Sequence, residues 1–249
     1  MSLKTSKILG LKDLKRTPDL WKILISELLG TMLLVVFGCG ASIPWTKSTD
    51  IVQIALAAGF TVATIVQITF HISGGHINPA MSLAMMVTGK MSIIMFVLYA
   101  ICQCIGAIGG ALLLKVLTPV HLRNNLGIST LNTDVSEVNG CCVEFLITFI
   151  MVITGFSVCD SNRSDVTGSV PLAIVCFMYF QLNFTGCSIN PARSLGPAVI
   201  FNKWQHHWVY WAGPCSGAIV AGVLYQVVFK ANRGSVSLIS ENKLNSLDI

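Results

Sequence analysis

"SGGHINPAMS", residues 73–82, follows directly on an apolar run of twenty residues and decides how the rest of the chain is read. A second copy, "TGCSINPARS", occupies residues 185–194, so Asn78 and Asn190 stand 112 positions apart, each followed by Pro-Ala. Asparagine favours the N-cap of a helix and proline its first turn. Each Asn-Pro-Ala therefore reads as a helix start. The first such helix runs from Pro79 to about Val87 and stops near Gly89; the second, from Pro191, is similar in length and ends before "NKWQHH". About nine residues rise about 14 Å, roughly half the hydrocarbon thickness of a bilayer.

The surroundings are those of a membrane chain. Of 249 residues, 53% are hydrophobic and 11% charged, about half the charged fraction of a soluble domain. Apolar runs fall at roughly 23–43, 51–70, 92–117, 140–158, 170–184 and 208–229. Five of the six reach the length a span needs; the fifth, of 15 residues, is short. The opening 20 residues are polar, unlike a secretory signal. Their Lys4, Lys7, Lys12, Lys15 and Arg16, with Lys22, carry no interleaved aromatics before Trp21 and read as the cytoplasmic flank of a first span, not as a nucleic-acid patch. With that orientation eleven Lys/Arg lie on the inner side and five on the outer, which places both termini in the cytoplasm. The nine cysteines lack disulfide or metal-ligand spacing and read as small buried hydrophobes, Cys187 excepted.

The chain repeats itself. "SELLGT" (26–31) matches "VEFLIT" (143–148), and "CIGAI" (104–108) matches "CSGAI" (215–219), at offsets of 117 and 111. Three features in one order imply a duplicated unit of three spans. Three is odd, so the second unit inserts upside down and the repeat is inverted. The two half-helices then enter from opposite faces and meet by their N-termini near the midplane. Irregular backbone there must be buried in protein or line a wet cavity. The expected fold is an all-α membrane protein with six transmembrane helices and two re-entrant half-helices in an inverted repeat. Its parts are a cytoplasmic N-terminal segment 1–20, a first repeat 21–117 with half-helix 78–88, an extracellular connecting loop 118–139, a second repeat 140–229 with half-helix 190–200, and a cytoplasmic tail 230–249.

On "SGGHINPA", "TGCSINPARS", "SELLGT", "VEFLIT", "QCIGAIGGALL" and "HHWVYWAGP", the sequence resembles the aquaporins, the major intrinsic protein family, over about residues 20–230. The tract "CDSNRSDVTGSVPLAI" is most similar to the animal water-channel branch. The resemblance implies a homotetramer in the plasma membrane with one pore per subunit, lipid around it and water inside it, and no cofactor or metal.

It also implies roles. Asn78, Pro79 and Ala80, with Asn190, Pro191 and Ala192, form the paired pore motif. Arg193 stands at the outer constriction, Cys187 at a pore-facing thiol position and His76 in the inner vestibule. Glu27 and Glu144 are charges inside apolar runs, where a charge is expensive; with Gln103 they read as acceptors and donors holding the re-entrant loops. The filter departs from the water-selective pattern. Ala58 stands where those relatives carry Phe, with Phe60 two residues on, and Met178 where they carry His; the stretch between Pro171 and Thr185 is about four residues short, about one turn. Ser194, Ala198 and Tyr210-Trp211 agree with the water-channel pattern. The leading expectation is a passive water channel, not an enzyme. Its alternatives are a pore that also passes glycerol, urea or peroxide, a secondary transporter, and a structural membrane protein with a poorly conducting pore.

Overall fold

The computed structural model describes residues 8–10, 19–44, 50–163, 165 and 182–231. All regular structure among them is helical. In chain order, α1 is Leu20–Leu33, continued by a π-helical turn Leu34–Cys39; α2 is Ile51–Ser73, α3 Pro79–Val87, α4 Ile93–Leu117 and α5 Glu137–Val158. Then come α6, the single turn Leu182–Thr185, α7 Pro191–Phe201, and α8 Val209–Leu224, continued by a π-helical turn Tyr225–Phe229. Five of these, α1, α2, α4, α5 and α8, are long and apolar enough to cross a membrane. The expected fifth span, 170–184, lies almost wholly outside the described residues, and Met178 with it. The protein is an all-α membrane protein, and α3 and α7, of 9 and 11 residues, are its two half-length helices.

Local chemistry sets the ends. Asp50 caps α2 by accepting from the Val52 amide at 2.8 Å, and Gly74, at φ +83°, closes it with its amide on the Phe70 carbonyl. Ser136 accepts from the Asn139 amide, so α5 starts at Glu137, three residues ahead of the apolar run that begins near 140. A side-chain cap and an acidic residue in the first turn make that start favourable.

Packing follows the duplication. α1 lies along α4 and, correspondingly, α5 along α8. The half-helices are exchanged: α3 of the first repeat packs on α8 of the second, and α7 of the second on α4 of the first. Polar side chains are buried among small apolar ones in the interior, while the outside is greasy. Glu27, Thr31, Ser82, Gln103, Glu144 and Thr148 are buried, whereas Phe37, Val116, Leu117, Val227 and Phe229 are exposed. That distribution suits a molecule whose solvent is hydrocarbon. Two of the cysteines, Cys142 and Cys159, are exposed, not buried as the sequence suggested: each sits on the outer side of α5 or at its end.

Close approach needs glycine at two points for each pair: Gly106 and Gly110 where α4 meets α1, Gly213 and Gly217 where α8 meets α5. A Cβ on Gly106 would stand 2.2 Å from the Leu28 carbonyl oxygen, and one on Gly217 2.3 Å from that of Phe145. Gly109, one helical turn from Gly106 and grouped with it in sequence, faces open space. Gly106→Ala should therefore destabilise the detergent-purified protein by about 1–3 kcal/mol or more, by overpacking. Gly109→Ala should be neutral or stabilising by up to about 1 kcal/mol, from helix propensity. Thermal unfolding checks this contrast, which fails if the two substitutions behave alike.

Candidate functional site

The two loops that enter the half-helices, 74–77 and 186–189, have no regular structure. Each is wrapped around a buried carboxylate. Glu27 accepts from the Ser73 hydroxyl (2.6 Å), the His76 amide (3.0 Å), the Ile77 amide (2.7 Å) and Gln103 Nε2 (2.7 Å). Glu144 accepts from the Thr185 hydroxyl (2.6 Å), the Ser188 amide (2.9 Å) and the Ile189 amide (2.8 Å). Both are 0% exposed. A set made only of donors matches an acceptor-only carboxylate. Tyr99 and Tyr210 close the loops from outside by donating to the carbonyls of Ser73 and Thr185 at 2.8 and 3.1 Å. The sequence reading missed Tyr99. Its 111-residue offset from Tyr210, shared with the "CIGAI" and "CSGAI" pair, is the signal that finds it.

Each asparagine does two things at once. Asn78 Oδ1 accepts from the Ala80 amide at 2.8 Å, and Asn190 Oδ1 from the amides of Ala192 and Arg193 at 3.0 and 3.2 Å. Pro79 and Pro191 occupy the first helical positions. The amide nitrogens reach across the repeat boundary: Asn78 Nδ2 donates to the Ile189 carbonyl at 3.0 Å, and Asn190 Nδ2 to the Ile77 carbonyl at 2.7 Å. Ile77 and Ile189 hold φ +44° and +58°. These are rare values for β-branched residues, and each costs on the order of 1–3 kcal/mol. Nothing in the local sequence announces them, since β-branched residues avoid such backbone.

His76 is fixed on three sides. Its amide is on Glu27, its Nδ1 lies 3.1 Å from Ser82 Oγ, and its ring lies against Tyr99 at 5.2 Å. The Ser82 hydroxyl donates to the Asn78 carbonyl at 3.1 Å, so its only proton is used and His76 Nδ1 must carry the hydrogen toward it. Gln103 Nε2 also reaches Ser82 at 3.1 Å.

Arg193 is anchored by Nη1, which donates to the Gly127 carbonyl at 2.9 Å and to Ser129 Oγ at 2.5 Å. Ser129, in the connecting loop, is a second site residue that the sequence did not reveal. One cavity of about 370 Å³ is lined by His76, Asn78, Asn190, Arg193, Cys187 and Ala58 together. α2 and α5 add the apolar Val62, Val66, Ile147 and Met151 to its wall. Phe60 does not line it and is 54% exposed: two residues along a helix turn a side chain by about 200° from Ala58.

Two half-helices meeting by capped N-termini beside a lined cavity are accompanied by a sequence match to a known family. Residues 14–225 match the family described as major intrinsic protein. The chain belongs to that family. Aquaporin-4 of Mus musculus is 47% identical over 222 residues, covering 86% of this chain and 69% of the relative, and aquaporin-4 of Homo sapiens is 45% identical over the same shares. The lens fiber major intrinsic protein of Lithobates pipiens is 39% identical over 225 residues, covering 88% of this chain and 86% of the relative. The solved structure of the aquaglyceroporin from Plasmodium falciparum superposes with a TM-score of 0.75 over 84% of this chain and 96% of that one, at 23% identity, which speaks for the fold. This member of the major intrinsic protein family is an integral, multi-pass membrane protein.

Two thiols, Cys187 and Cys39, line the cavity. Mercurials should therefore block water flux through reconstituted protein. Cys187→Ser should remove most of the block, and any remainder should disappear with Cys39→Ser. Inhibition unchanged in the double variant would move the reactive thiol off the cavity.

Proposed function

We infer that this protein is a passive water channel and not an enzyme, carrying water down osmotic gradients while excluding protons and ions. The observation that carries this reading is the meeting of both half-helix N-termini, each capped by an asparagine, at one cavity. Pore width, lining donors and half-helix dipoles together form the general account of selectivity in aquaporin-type pores.

The residues supply each element. Each asparagine amide has two hydrogens, and the reciprocal bonds to Ile189 and Ile77 use one apiece. The second hydrogen of Asn190 has no partner among the described residues, and that of Asn78 meets only the weak acceptor Met151 Sδ at 4.0 Å, which a passing water oxygen can displace. A water accepting from both turns its own hydrogens outward, toward opposite ends of the file. The hydrogen-bonded chain then reverses polarity at that molecule, and a proton cannot hop through it. The two helix ends contribute about half a positive charge each, which repels cations. Arg193 adds a full fixed charge on the cavity wall and offers donors to water there.

The same reading covers assembly and placement: a homotetramer in the plasma membrane, surrounded by lipid, with both termini cytoplasmic. The exposed apolar side chains of α1, α4 and α8 support a lipid surround, and the eleven-to-five Lys/Arg bias supports cytoplasmic termini.

A second reading has its own observation. Ala58 lines the cavity with Arg193 and leaves the space an aromatic ring would fill, while Phe60 points elsewhere. Small neutral solutes such as urea, glycerol or peroxide would then pass with water. Stopped-flow light scattering on proteoliposomes tests both readings. Rapid water flux with measurable urea flux is the expected result, and Ala58→Phe should cut urea flux more than water flux. Wild-type vesicles as tight to urea as empty ones, yet permeable to water, would leave a strictly water-selective pore. Vesicles no more permeable to water than empty ones would overturn the channel reading itself.

A further inference from the structure

Beside the asparagine motif of the second repeat lies a run of buried hydroxyls with a direction built into it. Ser188 Oγ contacts the Asn190 carbonyl at 3.0 Å. A carbonyl has no proton, so this bond uses the single proton of Ser188. Ser194 Oγ lies 2.6 Å from Ser188 Oγ; with the Ser188 proton spent, Ser194 must be the donor there. Ser129 Oγ lies 2.5 Å from Ser194 Oγ, and by the same count Ser129 donates. Ser129 in turn accepts from Arg193 Nη1 at 2.5 Å. Ser129, Ser188 and Ser194 are all buried. The chain thus runs one way, from the guanidinium through Ser129, Ser194 and Ser188 to the Asn190 carbonyl, with a cation at its donor end and a backbone acceptor at the other.

We propose that this serine relay is the positioning device of the filter: it ties Arg193 to the cap of its own half-helix and so sets how strictly the pore excludes solutes larger than water. The inference rests on the water-channel reading. The Nη1 group has two hydrogens, and Gly127 and Ser129 take both. Among the described residues Nε and Nη2 have no protein partner, which leaves them for the lumen. Gly127 and Ser129 both belong to the connecting loop, so one end of the relay stands on that loop and the other on the motif. Each hydroxyl that accepts from a stronger donor becomes a stronger donor itself, so such chains act as units. A chain that acts as a unit predicts non-additive losses.

The test uses full-length protein in proteoliposomes, with the urea-to-water permeability ratio as readout. Arg193→Ala should raise the ratio. Ser129→Ala and Ser194→Ala should each raise it about two- to tenfold, the range that one hydrogen bond of ordinary net strength carries. The double variant should do no more than Ser129→Ala alone, and Ser129→Thr, which keeps the hydroxyl, should restore the wild-type ratio. A merely structural role would lower both permeabilities together and leave their ratio in place. If Arg193→Ala raises the ratio and the serine variants do not, the relay is wrong and the filter stands. Additive serine effects likewise overturn the relay. If Arg193→Ala itself leaves the ratio unchanged, the filter reading fails first and the relay with it. Should Ser129→Ala not reach the membrane, Ser194→Ala decides alone: it removes no group that touches Arg193, so an unchanged ratio overturns the proposal.

Discussion

The exchange of hydrogen bonds between Asn78 and the Ile189 carbonyl, and between Asn190 and the Ile77 carbonyl, is what the remainder of this structure depends on. It joins the two repeats where each is least regular. For either carbonyl to face the other repeat, its isoleucine must take a left-handed backbone that β-branched residues avoid. That strain is on the order of 1–3 kcal/mol per residue. The bond each isoleucine amide makes to Glu27 or Glu144, at 2.7 or 2.8 Å, is of comparable worth, about 1.5–3 kcal/mol for a bond to a charged group. Carboxylate, isoleucine and asparagine thus form one unit in each half: the first holds the strained residue, the second presents its carbonyl and the third, from the other half, receives it.

Near-symmetry makes the departures informative. The 112-residue offset pairs Gly75 with Cys187, His76 with Ser188, Met81 with Arg193 and Ser82 with Ser194. The first loop therefore ends on a histidine, a serine and an uncharged methionine, the second on two serines and a guanidinium. Gln103, which serves both Glu27 and Ser82, has Pro214 at the matching place 111 residues on, and proline donates nothing. The duplicated scaffold builds two like halves, and a few unlike side chains put a guanidinium on the cavity wall where the matching place in the first half carries the neutral Met81.

Much of this was legible because membrane depth makes polar residues conspicuous. A Gly-rich polar decapeptide after twenty apolar residues, and a glutamate inside each of two apolar runs, have few physical explanations in hydrocarbon. Caps made by Asn and Pro at adjacent positions set helix starts to within a residue. What stayed hidden has physical reasons too. Ser129 sits in a connector with no periodicity, and nothing local ties it to an arginine 64 residues away. Left-handed Ile77 and Ile189 run against their own propensity, so only tertiary contacts explain them. Phe60 stands only two residues past Ala58, and it takes helix geometry to see that its ring is turned away from the cavity.

The buried carboxylates raise a question for any pore that refuses cations. Two negative charges so near the asparagine motifs would attract the ions that the helix ends and Arg193 repel. Their placement resolves the conflict. Neither Glu27 nor Glu144 lines the cavity, and neither is exposed at all. The oxygens of Glu27 are met by four donors and those of Glu144 by three, so the field of each carboxylate ends largely on the loops it folds. The loops then turn their other side, with the asparagine donors and the positive helix ends, toward the lumen. A bare carboxylate at this depth would cost several kcal/mol in desolvation; a lumen-facing one would avoid that cost by becoming a cation site. Saturating the carboxylates with loop amides and hydroxyls removes both outcomes, which is why the fold and the selectivity of this pore draw on the same few hydrogen bonds.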